Sequence, residues 1–292
     1  MEKYLFFSAP VCSIYRYTAG MIEKQPTRTE GLEMDLSLHG RTALVCGASK
    51  GIGRACALQL AGQGAAVVAL ARSGDALTDL LEELPGNGHH ALPADLNDRS
   101  TLAHRIEALL KERGSIGVLV CNTGGPPGGP LLEADEAAWL GAFGQHVLVN
   151  ALLVRLLAPG MAATGFGRVI NIISTSVKAP IPNLGVSNTM RGAVASQAKT
   201  LAGELAADGI TVNNVLPGYT ATGRLQSLID GAATRQGRTG EDVSREWQAT
   251  VPAGRFGRPE EVAAAVGFLA SPAAAYINGI NLPVDGGRTP SL

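Results

Sequence analysis

Short apolar runs alternate with stretches of helical period along most of this chain. Thr42–Cys46 is an apolar run ending in glycine, followed by a helix-like segment over Ile52–Gln63. Ala66–Ala71 reads as a second buried strand, with a helix over Ala76–Leu84 and a breaker at Pro85-Gly86-Asn87-Gly88. His90–Pro93 is a weaker third strand. Asp98–Arg113 then sets Leu102, Ile106, Leu109 and Leu110 on one helical face. Further strands are predicted at Val118–Cys121, Val169–Ile173, Thr211–Leu216 and Ile280–Val284, with helices over Glu136–Ala163, Gly185–Ala207 and Glu260–Leu269. Continuously apolar strands separated by helices imply an α/β fold with a parallel sheet covered on both faces. Right-handed crossovers make that sheet doubly wound. Neither an internal repeat nor a linker divides residues 36–292, so one domain is expected. Gly218–Thr250 is too long for a plain connection and reads as a partly helical flap over a site.

Composition changes this picture little. The 292 residues are 46% hydrophobic and 17% charged, enough for a large core without disulfides or metals. A net charge of −1 gives no electrostatic reason to expect nucleic acid or an anionic membrane surface as partner. No uninterrupted apolar run reaches the roughly 18 residues of a membrane span. Cys12, Cys46, Cys56 and Cys121 lack metal-site or redox-motif spacing, which suits a cytoplasmic location, and the His89–His90 pair belongs to no helix-spaced set, so no metal is expected. Residues 1–35 differ from the rest: Tyr4, Tyr15 and Tyr17 precede a polar stretch from Glu23 to Glu33. They read as an N-terminal extension outside the fold, with Met34 standing directly before the first folded segment. A secretory signal is the alternative, but Ser8, Pro10 and Ser13 interrupt its apolar stretch and no clean cleavage site follows.

Candidate chemistry begins at Cys46-Gly47-Ala48-Ser49-Lys50-Gly51-Ile52-Gly53, where the first strand turns into the first helix. Glycines there allow a tight turn and a close backbone approach to a pyrophosphate, which the helix N-terminus attracts. Gly47, Ser49, Lys50, Gly51, Ile52 and Gly53 are therefore the expected phosphate cradle. The second strand closes with Ala71-Arg72-Ser73, where a carboxylate would have accepted a ribose 2′-hydroxyl. Arg72 and Lys50 instead favour a 2′-phosphate, hence NADP(H) over NAD(H); solvated surface charge is the alternative. Asp95 and Leu96, after the third strand, are placed to meet the adenine edge or to precede a helix cap.

Taken with later motifs, the chain resembles the short-chain dehydrogenase/reductase superfamily, especially its 3-oxoacyl-(acyl-carrier-protein) reductase-like members. The resemblance spans about Leu38 to Gly287. It rests on the glycine loop, Gly167-Arg168-Val169-Ile170-Asn171-Ile172-Ile173-Ser174, Asn213-Asn214-Val215-Leu216-Pro217-Gly218, Gly257-Arg258-Pro259-Glu260-Glu261-Val262 and Val284-Asp285-Gly286-Gly287. It implies a single-domain Rossmann-type sheet, cofactor contacts from Asn122, Gly124, Arg191, Pro217 and Gly218, and a homotetramer or homodimer with the Gly185–Ala207 helix in one interface.

The family's chemistry uses an Asn, a Ser, and a Tyr and Lys spaced Y-x-x-x-K. Asn150 and Ser174 match the first two. Thirteen residues after Ser174 the chain reads Ser187-Asn188-Thr189-Met190-Arg191, so Ser187 stands for the tyrosine and Arg191 for the lysine. No tyrosine lies between Tyr17 and Tyr219, so realignment does not restore the motif. The family's N-N-A-G is here Asn122-Thr123-Gly124-Gly125. A phenol of pKa about 10 is tuned toward neutrality by a nearby cation; an aliphatic hydroxyl is not readily so tuned. Arg191 keeps the charge but does not relay protons. The proton in any hydride transfer must then come from water, Ser174 or His146, which precedes Asn150 by one helical turn.

The expected function is an NADP(H)-dependent oxidoreductase acting on a small-molecule carbonyl or acyl substrate with an altered proton donor. A catalytically silent dinucleotide-binding sensor or partner subunit is the rival, and dehydration or isomerisation a third reading. Cys46 and Cys121, ending neighbouring strands, are two buried thiols or a redox-sensitive pair.

Overall fold

A computed structural model describes residues 34–291 of the chain. The extension read in residues 1–35 lies outside the described residues except for Met34 and Asp35. The Asp35 carbonyl accepts from the Ala273 N–H at 3.1 Å, and Gln63 Nε2 donates to the Leu36 carbonyl at 2.8 Å.

Seven parallel strands form one sheet: β1 (Thr42–Cys46), β2 (Ala66–Ala71), β3 (His90–Pro93), β4 (Val118–Cys121), β5 (Gly167–Ile172), β6 (Ile210–Pro217) and β7 (Asn281–Val284), in the order β3-β2-β1-β4-β5-β6-β7. This is the expected Rossmann-type doubly wound sheet. The order reverses direction between β1 and β4, which opens a crevice beyond their C-terminal ends. Alternation of side chains along β1 builds both cores. Ala43 and Val45 join the layer with Leu60 of α1 (Gly51–Gly62), Leu77 of α2 (Gly74–Glu83) and Val266 of α9 (Pro259–Ala270). Leu44 and Cys46 join the layer with Ile106 of α3 (Arg99–Arg113), Leu153 of α5 (Val149–Ala163) and Ala198 of α6 (Gly185–Leu205). Small residues let α1 and α9 approach closely: Gln63 Nε2 donates to the Gly267 carbonyl at 3.2 Å.

The long helical stretch Glu136–Ala163 is not uniform. It comprises α4 (Glu136–Phe143), one π-helical turn at Gly144–Leu148, and α5. By length and mean hydropathy, 1.5 over its best window, it is apolar enough to cross a membrane, although Gln145, His146, Asn150 and Arg155 interrupt its apolar run. Leu153, Leu157 and Met161 nevertheless spend that apolarity in the core. The segment 218–250 holds two helices, α7 (Gly223–Gln236) and α8 (Gly240–Ala249). They close a small core of their own around Leu225, Ile229 and Val243, with Tyr219 stacked on Trp247 at 5.0 Å and edge-on to Phe256.

Candidate functional site

Because every strand runs the same way, Gly47, Arg72, Asp95, Asn122, Ser174 and Pro217 all fall at one edge of the sheet. The glycine loop is held there by backbone geometry. Gly47 has φ +64°, and a Cβ on it would lie 2.7 Å from the Asn122 carbonyl oxygen. A Cβ on Gly53 would run into the Gly47 carbonyl itself. Asn122 Nδ2 donates to the Cys46 carbonyl at 3.3 Å, tying the β4 end to this turn. The α1 N-terminus has Lys50 at its cap position, no side-chain cap bond and no acidic residue in its first turn. Its leading N–H groups stay available for an anion. Ser49 and Ile52 flank the turn, with Ile52 packed against the core. A cradle that a single Cβ would fill, beneath an uncapped helix end, fits a pyrophosphate.

At the adjoining strand ends, Arg72 and Lys50 are exposed. Ser73 caps α2 by accepting from the Ala76 N–H. Asp98, not Asp95, caps α3; Asp95 accepts from the Asn97 N–H at 2.9 Å in a local turn. Leu96 packs on the core. Beside Gly124 there is open space, whereas a Cβ on Gly218 would meet Asp285 at 2.7 Å. Cys46 and Cys121 end adjacent strands as free buried thiols, and burial pushes the Cys46 thiol up to about 12, which suppresses the reactive thiolate.

At the β5 end the structure brings Asn150, Ser174 and Arg191 to one strand terminus. Asn150 Nδ2 donates to Asn171 Oδ1 at 3.1 Å, Asn171 Nδ2 to Asn214 Oδ1 at 2.9 Å, and Asn214 Nδ2 to Asn281 Oδ1 at 2.8 Å. The last three face one another in register on β5, β6 and β7. This amide ladder orients Asn150. Ser174 Oγ accepts from the Ser176 N–H at 3.0 Å, which commits a lone pair and leaves the hydroxyl proton to donate. Arg191, only 8% exposed, donates from Nη1 to the Ile172 carbonyl at 3.0 Å. Burial, then the charge of Arg224, lowers it to about 10, so it remains a cation at neutral pH. Ser187 is partly buried one helical turn earlier on α6.

His146 lies within the π turn and is 1% exposed. Its Nδ1 is 2.5 Å from Thr123 Oγ1, and its Nε2 is buried without a hydrogen-bond partner. Burial, then the Arg191 charge, lowers it to about 3. His146 is therefore a neutral imidazole, not a standing acid. Tyr219 does not replace the missing phenol either. Its ring is held in the aromatic stack and its hydroxyl accepts from Arg288 Nη2 at 3.1 Å.

Sequence reading missed Thr123, Thr222 and Arg224. The Thr222 methyl would lie 3.3 Å from a Cβ on Gly51, beside the cradle, and its hydroxyl caps α7. Its signal was a cap residue shortly after Pro217-Gly218. Arg224 Nη2 donates to the Pro126 carbonyl at 2.7 Å, across 98 residues, and carried no local signal.

The profile of a family described as "Enoyl-(Acyl carrier protein) reductase" matches residues 47–289. Curated relatives share the full length of the domain. The cis-4-hydroxycyclohexanecarboxylate dehydrogenase of Sinomonas cyclohexanicum is 37% identical over 252 residues, covering 85% of this chain and 96% of that one. This chain belongs to the short-chain dehydrogenase/reductase family. Within it the chain is 3-oxoacyl-(acyl-carrier-protein) reductase-like: the Vibrio cholerae enzyme of that name is 34% identical over 254 residues, covering 86% and 98%. Among solved short-chain reductases, L-sorbose reductase from Gluconobacter frateurii, complexed with NADPH and L-sorbose, superposes with a TM-score of 0.82 at 30% identity. That match covers 89% of this chain and all of the other. Short-chain oxidoreductases thus surround the chain in sequence and in structure.

Proposed function

We propose that residues 36–292 form an NADP(H)-dependent short-chain oxidoreductase that interconverts a carbonyl and an alcohol with an altered proton donor, the segment 218–250 acting as its flap. The observation that carries this reading is the placement of a pyrophosphate-fitting cradle and a buried guanidinium beside Ser174 on the same sheet edge. Gly47, Ser49, Lys50, Gly51, Ile52, Gly53, Asn122, Gly124, Pro217 and Gly218 would hold the dinucleotide, with Asp95 and Leu96 toward the adenine. Exposed Arg72 and Lys50, with no carboxylate at the β2 end, favour the 2′-phosphate, as the NADPH held by L-sorbose reductase also does. When bound, the nicotinamide supplies the hydride for the carbonyl carbon. Ser174 donates its hydroxyl proton to the carbonyl oxygen and is reprotonated from water. Arg191 balances the oxygen's developing negative charge, and Asn150, fixed by its ladder, orients the site. Exposed Leu140, Phe143 and Leu148 on the α4–α5 rod, with open space beside Gly192 on α6, support a homotetramer or homodimer. Free buried cysteines support a cytoplasmic location.

Purified protein mixed with NADPH and a panel of ketones and 3-oxoacyl thioesters tests this directly. Oxidation of NADPH above background, at least tenfold slower with NADH, is expected. The loss of the Tyr–Lys pair favours a second reading, a silent dinucleotide-binding sensor or partner subunit. Tight NADPH binding with no turnover across the panel would establish that reading instead.

A further inference from the structure

Where β7 ends, Asp285 organises a tight turn. Its Oδ1 accepts from the Gly287 N–H at 3.0 Å and its Oδ2 from the Thr289 N–H at 2.8 Å. Arg288, within that turn, lies over the Tyr219 ring at 4.2 Å and donates from Nη2 to the Tyr219 hydroxyl at 3.1 Å. Tyr219 is itself stacked on Trp247, so the guanidinium is carried by the small core of segment 218–250. The β5–α6 connection, in which Thr175 directly follows Ser174, is equally well fixed. Asn188 of α6 clips it at Ile181: Asn188 Nδ2 donates to the Ile181 carbonyl at 2.9 Å, and the Ile181 N–H donates to Asn188 Oδ1 at 3.4 Å. The Gly129 N–H adds a bridge to the Asn183 carbonyl at 2.7 Å.

Between the turn and the connection lies a recess of about 160 Å³, walled by Thr175, Ile181 and Pro182 from the connection and by Arg288, Thr289 and Pro290 from the tail. Both polar side chains of the tail wall are short of partners. Arg288 Nε is buried without a hydrogen bond, and Thr289 Oγ1, beside Asp285, makes none of ordinary geometry. Among the described residues no carboxylate stands within ion-pair distance of Arg288, although Arg54, Arg238, Arg245 and Arg255 each have one. A buried N–H left unpaired costs more than an ordinary hydrogen bond gains, and most when the group is charged. An acceptor oxygen entering the recess removes that cost, and a charged one forms the stronger, charge-assisted bond. The recess is smaller than a whole small-molecule site, about 300–1,000 Å³, and suits one end group of a ligand.

We propose that this recess is the subsite for a carboxylate at the end of the substrate remote from the reacting carbonyl, bound by Arg288 Nε and Thr289 Oγ1. This deepens the oxidoreductase reading and rests on it. Thr175 joins the recess to Ser174, so a small oxo acid would present its carbonyl to Ser174 and its carboxylate to Arg288.

The test compares two oxo acids of different length, acetoacetate and levulinate, each with its methyl ester. In at least one pair the acid should lead its ester in kcat/KM by about tenfold or more, chiefly through KM, the size of a charge-assisted hydrogen bond. Arg288→Gln should bring that ratio toward one, Arg288→Lys should keep part of it, and Thr289→Val should lower it by about threefold. Ratios near one in both wild-type pairs, or a ratio that survives in Arg288→Gln, overturn the subsite. Should Arg288→Gln not fold, Arg288→Lys and Thr289→Val decide in its place, and an undiminished ratio in both overturns the subsite equally. Glutarate and dimethyl glutarate, titrated calorimetrically into the NADPH-saturated protein, read binding without turnover. Glutarate binding that is lost in Arg288→Gln, with no hydride transfer to any probe, leaves the subsite standing and removes the oxidoreductase reading. Turnover of esters as fast as acids does the reverse. If Arg288→Gln weakens NADPH as much as glutarate, the guanidinium serves the cofactor and the subsite is refuted.

Discussion

Two turns meet at the C-terminal edge of the sheet, and they are built on opposite principles. The β1–α1 turn is made of backbone: Gly47 and Gly53 exclude side chains so that carbonyl and N–H groups come together. The β5–α6 region is made of side chains: Asn150, Ser174 and Arg191 are each anchored near the end of β5, and Arg191 carries a charge with a single backbone acceptor. A backbone device admits almost no substitution, because its chemistry is the absence of a Cβ. A side-chain device keeps its address while its chemistry changes, as when Ser187 and Arg191 stand where a phenol and an amine are expected. The nucleotide end thus has little room for substitution, and the reacting end is the variable one.

The largest effect should come from breaking the backbone device. Gly53→Ala puts a methyl group against the Gly47 carbonyl and the Asn122 amide, neither of which has room to retreat. Overpacking of this kind costs about 1–3 kcal/mol and, in a domain of this size, roughly 2–12 °C in Tm. NADPH affinity should fall by about a hundredfold or more, because the methyl occupies the loop that the phosphates need. Fluorescence titration and thermal unfolding measure both, and an unchanged Kd would dissolve the distinction between the two ends.

Next in size is the cost of the buried imidazole. His146 titrates near 3 in the folded protein against about 6.5 when unfolded. Between those values the unfolded chain binds a proton that the folded chain refuses, so stability is present above about pH 6.5 and lost as pH falls toward 3. The loss is about 1.36 kcal/mol per pH unit, or about 2.7 kcal/mol by pH 4.5. Urea unfolding at pH 7 and 4.5 should show this difference in the wild type and lose it in His146→Gln. Equal pH slopes would mean that the site tolerates an imidazolium beside Arg191.

The same contrast explains what the sequence revealed. β1, β2, β3 and β4 are bounded as read because their apolar runs end at glycine or polar breakers, and the cradle is visible because glycine spacing encodes backbone geometry locally. β5 begins two residues earlier than its apolar run and ends one residue earlier, at Ile172, while β6 is longer by one residue at each end, since Gly167 and Pro217 also pair with neighbouring strands. The ladder from Asn150 to Asn281 depends on register, which exists only once the strands are paired. The π turn that buries His146 breaks the 3.6 period on which the helical reading relied. Arg224 acts across 98 residues of sequence, where no local pattern carries the information.

The finest test separates the two serines at the variable end. Ser174 Oγ is oriented by the Ser176 N–H and follows the strand whose last carbonyl holds Arg191, so its hydroxyl proton is directed and a cation stands near. Ser174→Ala should lower kcat by about a hundredfold, roughly 2.7 kcal/mol in the barrier. Ser187 is matched to the tyrosine by its sequence position on α6 alone. Its oxygen stops a ring's length short of the place a phenol oxygen would reach. Ser187→Ala should therefore change kcat by less than about threefold, within RT of no effect. Steady-state kinetics on both variants decide which serine works. A large loss at Ser187 with Ser174→Ala tolerated would show that the proton path follows the family's address after all, and the variable end would have kept its route while exchanging its donor.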